Sequence, residues 1–91
     1  MPEVILQLTW PDGRQTTLYS PSTVILQHLQ PGERLPVAEL QQRAERALGE
    51  ASERVRARYG FACTRTDEER SKLRHTATAY AADQFVTISA A

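Results

Sequence analysis

Residues 3–10, Glu-Val-Ile-Leu-Gln-Leu-Thr-Trp, alternate in polarity and run directly into Pro11-Asp12-Gly13. No other feature of the chain constrains its fold as tightly. Alternation with period two puts Val4, Leu6, Leu8 and Trp10 on one face of a strand, with Gln7 and Thr9 on the other. Proline presets φ for the first turn position, aspartate bonds its own backbone two residues on, and glycine accepts the left-handed conformation. The expected product is a three-residue hairpin loop with Gly13 at the bulge position. That register pairs Trp10 with Arg14, Leu8 with Thr16, Leu6 with Leu18 and Ile5 with Tyr19. Leu6 and Leu18 then share the face of Val4 and Trp10, so turn chemistry and hydrophobic pattern specify the same sheet.

The next segments are less regular. Ser20-Pro21 offers an N-cap and a first-turn proline, with Val24, Ile25 and Leu29 lining a short helix. The β-branched run Thr23-Val24-Ile25 suits a strand equally well. Residues 30–36 carry two prolines and a glycine and read as a loop. From Pro36 onward, Val37, Leu40, Ala44, Ala47, Leu48, Ala51 and Val55 recur at spacings of three and four as far as Tyr59. This is one apolar stripe on a helix of about 22 residues, ~33 Å long. Gly60 supplies the left-handed C′ position, and Phe61 is placed to fold back on Val55. Gly49, inside the helix, costs about 1 kcal/mol relative to alanine. Thr66 and Glu69 form a capping box that opens a second helix with a sparse stripe of Leu73, Ala77 and Tyr80. Residues 85–89, Phe-Val-Thr-Ile-Ser, alternate again as a last strand.

The first strand is the most apolar and belongs at the sheet centre. The last is expected beside it and parallel to it, since helices intervene. The layout is α+β, ββ(α)ααβ, with helices on one face of a three-stranded mixed sheet. A five- or six-residue strand spans only ~17–20 Å, so the ~33 Å helix is expected to overhang it. A turn of stripe near Val37 or Val55 would then be left for a second copy or a partner.

Composition narrows the functional classes. With 91 residues there is room for one domain, residues 1–91. Leu, Ile, Val and Phe make up only 19 residues, so the core is thin and burial against another chain is attractive. Eleven basic residues cancel eleven acidic ones, whereas nucleic-acid binders usually show a basic excess; that role is disfavoured. A single cysteine rules out an internal disulfide and fits a reducing compartment. No apolar run approaches the ~18 residues of a membrane span, and no targeting segment is evident. The expectation is a soluble cytoplasmic protein with no membrane partner.

Candidate chemistry is sparse. Cys63, His28 and His75 have no metal-site spacing, so no metal or other cofactor is expected. Cys63 is the one plausible nucleophile, but a small apolar residue plugging its loop against the core explains it better than catalysis does. Arginines and lysine crowd residues 54–74, seven cations against three acids. A patch for an acidic partner or a phosphate is one reading. A solvated helix face, supported by the i,i+4 pairs Glu39–Arg43 and Glu50–Arg54, is the better one. There is no glycine-rich phosphate loop.

Trp10-Pro11-Asp12-Gly13, Tyr19-Ser20-Pro21-Ser22, Pro31-Gly32-Glu33, residues 51–57 (Ala-Ser-Glu-Arg-Val-Arg-Ala) and Tyr59-Gly60-Phe61-Ala62-Cys63 resemble, as an ordered set, the small nitrogen-starvation-response proteins of bacteria. The resemblance runs from Met1 to about Cys63 and continues more loosely to the final strand. It implies an accessory protein encoded beside a nitrilase-type hydrolase, a radical-SAM protein, an acetyltransferase and a flavin-dependent oxidoreductase, and it supplies a physiological setting rather than a reaction. The expectation is a non-enzymatic interaction protein, acting with a protein partner or as a homodimer. The alternative is a small-ligand binder or minor enzyme using a pocket near Cys63. Trp10, Tyr19, Arg54, Arg58, Tyr59, Phe61 and Cys63 are the candidate interaction or pocket residues.

Overall fold

The structure is a computed structural model that describes residues 3–60 and 64–90. Its strands are β1 (Val4–Thr9), β2 (Gln15–Ser20), β3 (Arg34–Pro36) and β4 (Phe85–Ala90), and its helices are α1 (Val37–Tyr59) and α2 (Thr64–Ala77). Residues Thr23–Gln27 form a 3-10 turn. The strands make one antiparallel sheet in the order β2-β1-β4-β3. The fold class is α+β.

The N-terminal hairpin has the register its turn dictates: Leu6 faces Leu18, Leu8 faces Thr16, and Ile5 faces Tyr19. The Trp10 N–H donates to the Arg14 carbonyl at 2.8 Å, and Gly13 adopts φ +91°. Asp12 Oδ1 accepts the Arg14 N–H two residues on, at 3.0 Å.

Two expectations about the sheet are corrected. It has four strands, because Arg34–Pro36, within the segment read as loop, pairs with Phe85–Thr87. Three residues ending in proline carry no visible alternation; the distant β4 makes them a strand. The Gly32 N–H and the Glu33 carbonyl extend the same ladder to Ile88. Second, β4 lies beside β1 as expected but runs antiparallel to it. Between β3 and β4 the chain makes an out-and-back excursion through two helices, which returns it to the end it left. Pro36 consequently pairs with Phe85, and β4 leaves in the opposite direction.

The 23 residues of α1 bury the whole predicted stripe, Val37, Leu40, Ala44, Ala47, Leu48, Ala51 and Val55. Even its ends are covered, with Val37 3% and Val55 8% exposed. This overturns the expected overhang: α2 and the 3-10 turn touch α1 in addition to the sheet, so helix length need not match strand length. Pro36 gives α1 no side-chain cap. Instead the first N–H groups donate to Gln84 O (2.7 Å, from Val37) and Ala82 O (3.2 Å, from Ala38), which ties the helix start to the turn before β4. Gly60, at φ +80°, ends the helix by donating to Arg56 O. A Cβ built on Gly49 meets nothing within 4 Å, so packing does not explain that glycine.

Helix α2 begins at Thr64, ahead of the expected capping box. Thr66 and Glu69 are therefore interior helical residues, both buried. Glu69 accepts the Tyr19 N–H at 2.7 Å, across 50 residues of sequence. The expected Ser20 cap is also displaced: Ser22 caps the 3-10 turn by accepting the Val24 N–H, and Ser20 Oγ donates to Ser22 O. One core joins Leu6, Leu8, Trp10, Leu18, Val86 and Ile88 of the sheet side with Leu40, Ala44, Leu48 and Leu73 of the helices. Both helices thus lie on the same face of the sheet.

Candidate functional site

Five of the sequence-predicted residues, Trp10, Tyr19, Arg54, Arg58 and Tyr59, lie among the described residues. Trp10 is 2% exposed. Its indole N–H donates to Thr16 Oγ1 at 2.8 Å, and its ring stacks on Tyr80 at 5.2 Å between centroids and 12° between planes. This is a structural corner that closes the hairpin end onto the turn after α2. The Tyr80 hydroxyl donates to Asp12 Oδ1 at 2.7 Å. The Arg14 N–H and then the Tyr80 hydroxyl hold the Asp12 carboxyl below its ordinary value. Desolvation, followed by the Asp12 bond, pushes the Tyr80 hydroxyl up.

Arg54, Arg58 and Tyr59 are exposed near the far end of α1. The Arg58 guanidinium is 5.9 Å from the centre of the Tyr59 ring. Phe61 and Cys63 lie outside the described residues. The Glu39–Arg43 pair forms as expected, at 2.6 Å. Glu50, however, reaches His28 at 3.1 Å rather than Arg54, because the 3-10 turn lies against α1 on that side. A cavity of about 10 Å³ lies between the hairpin and α2, bounded by Leu8, Thr16, Leu18, Glu69, Lys72 and Leu73, with room for about one water. None of the five predicted residues that the structure describes bounds it. Among the described residues no three His, Cys, Asp or Glu side chains stand close enough to hold a metal ion.

The surface that does stand out is the sheet face opposite the helices. Even-numbered residues of β1 and β4, from Leu6 and Leu8 to Val86 and Ile88, are buried under the helices. Their odd-numbered neighbours therefore point the other way. Ile5 and Phe85 are 49% and 45% exposed there. Between them lie uncharged polar residues, including Gln7, which donates to Gln15 Oε1 at 2.9 Å, and the exposed Thr17 and Thr87. Arg34 of β3 holds its guanidinium 4.6 Å from the centre of the Phe85 ring. At the β2 edge, Arg65 of α2 does the same over Tyr19, at 4.2 Å.

Of the predicted residues that the structure describes, only Tyr19 belongs to this face; Ile5, Arg34, Arg65 and Phe85 are not among the predicted ones. The alternation of residues 85–89 was the available signal, since it already set Phe85 opposite Val86 and Ile88. Arg34 and Arg65 carried no such signal, because their positions follow from an unrecognised strand and an earlier helix start.

The model of a protein family described as nitrogen starvation-induced protein NitG matches residues 5–91. The chain belongs to that family. The match extends past Cys63, where the sequence resemblance loosens, and takes in α2 and β4. No curated protein and no solved structure matches the chain. Family membership thus places this chain among proteins described as induced by nitrogen starvation. No helix among the described residues is long and apolar enough to cross a membrane.

Proposed function

We propose that the chain is a non-enzymatic accessory protein of the nitrogen-starvation response, supporting an enzyme of a nitrilase-associated pathway by direct protein contact. The observation that carries this reading is the open sheet face. It exposes Ile5 and Phe85 with uncharged polar residues between them, while the helix side is filled by its own core. Ile5 and Phe85 at two corners of a polar centre give a partner apolar contacts on either side of hydrogen-bonding groups. A site for a small molecule needs a concavity of roughly 300–1,000 Å³. The cavity beside Glu69 is about 10 Å³. The test is affinity capture with the immobilised chain from nitrogen-limited cells. Specific retention of an enzyme of the pathway is the expected result, and no protein above background would contradict the reading.

A further inference from the structure

Taking that accessory reading as its basis, we propose that the open sheet face docks an acidic segment of the partner protein. The sheet edges are poor routes for a partner. On β2, the Tyr19 N–H is already taken by Glu69 of α2. The other edge, β3, has three residues and ends in Pro36. Covered or proline-ended short edges resist strand addition. The face remains, and its charges are one-sided. The cations that form ion pairs, Arg43, Lys72 and Arg74, meet carboxylates of the helices and of the loop before β3. Arg34 and Arg65 form none with the described carboxylates and lie instead over aromatic rings. A guanidinium laid on a ring keeps its N–H groups directed outward in its own plane, suited to a carboxylate. No strand residue of this face is acidic; Glu3 and Glu33 stand immediately ahead of β1 and β3, with Glu33 paired to Arg43, and Asp83 lies two residues ahead of β4.

A second copy meets the face less well. It would bring the same arginines and no strand carboxylate. A nucleic acid would gain little from two cations, since its affinity grows with the number of phosphates neutralised. An acidic protein segment with apolar side chains suits both the arginines and the corners at Ile5 and Phe85.

The probe is a fluorescein-labelled peptide of alternating glutamate and phenylalanine, followed by anisotropy, with a lysine–phenylalanine peptide and a short thymidine oligonucleotide as controls. The acidic peptide should bind, and raising salt from about 50 to about 500 mM should weaken it about tenfold or more. Arg34→Glu with Arg65→Glu should weaken it at least as much, and Arg34→Gln with Arg65→Gln by less, both with unchanged circular dichroism. No binding, equal binding by the lysine peptide, tighter binding by the oligonucleotide, or indifference to both double variants would overturn the proposal. Its failure is separable from that of the accessory reading. If the wild-type chain captures a partner and the folded Glu double variant captures it equally, the reading stands and the docking surface falls.

Discussion

Glu69 gives the sharpest stability test, because one side chain covers the β2 edge at Tyr19. It is 4% exposed; one carboxylate oxygen accepts the Tyr19 N–H at 2.7 Å and the other meets Lys72 Nζ at 3.0 Å. Glu69→Ala removes a charged acceptor and strands a backbone donor. A hydrogen bond to a charged group contributes about 1.5–3 kcal/mol, so the expected loss is about 2–3 kcal/mol. Glu69→Gln keeps an oxygen for Tyr19 but loses the charge, including that opposite Lys72, whose side chain is 49% exposed. Exposed pairs contribute about 0.2–1 kcal/mol, so this variant should cost about 0.5 kcal/mol. In a fold whose total stability is about 5–13 kcal/mol, the difference is large. Urea titration followed by fluorescence of Trp10, the single tryptophan, reads it directly. With a slope of about 1–1.5 kcal/mol per M, the midpoint should fall by about 2 M for Ala and about 0.4 M for Gln. An Ala variant within about 0.5 kcal/mol of wild type, or a Gln variant as damaged as Ala, would refute the edge-covering role.

Other outcomes follow from single positions. Gly49→Ala should stabilise by about 1 kcal/mol, since the added Cβ meets nothing within 4 Å; a lower thermal midpoint would contradict this. Gly60→Ala should destabilise by about 1 kcal/mol, because φ is +80° there, and an unchanged midpoint would be the contrary result. Asp12 is held below its ordinary value of 3.8. Its contribution is therefore complete above that pH and is lost as pH falls through the lower folded value. Carboxyl NMR should show a midpoint below 3.8 that Tyr80→Phe moves upward; a midpoint at or above 3.8 would count against the Tyr80–Asp12 bond. Tyr80 is held above 10.0, so its contribution is present below that pH and is lost as pH rises through the higher folded value.

What was legible in the sequence was what local chemistry decides alone. Pro11-Asp12-Gly13 set the hairpin register, and the spacing of seven apolar residues set the buried face of α1. What was not legible depends on distant partners. Arg34–Pro36 becomes a strand only because β4 returns beside it. Thr66 and Glu69 have the spacing of a cap, yet Glu69 is used by Tyr19. The direction of β4 followed from how α1 and α2 pair, which no single segment records. The open face was missed for a related reason. Sequence draws attention to conspicuous residues such as Trp10 and Cys63, whereas a sheet surface is assembled from every second residue of several short strands.

Amide NMR of the labelled chain during titration with the glutamate–phenylalanine peptide tests the working surface most directly. If the open sheet face is that surface, shifts will concentrate at Ile5, Thr17, Tyr19, Arg34, Phe85 and Thr87. Shifts concentrated instead on the outward residues of α1, such as Arg46, Arg54 and Arg58, would contradict it.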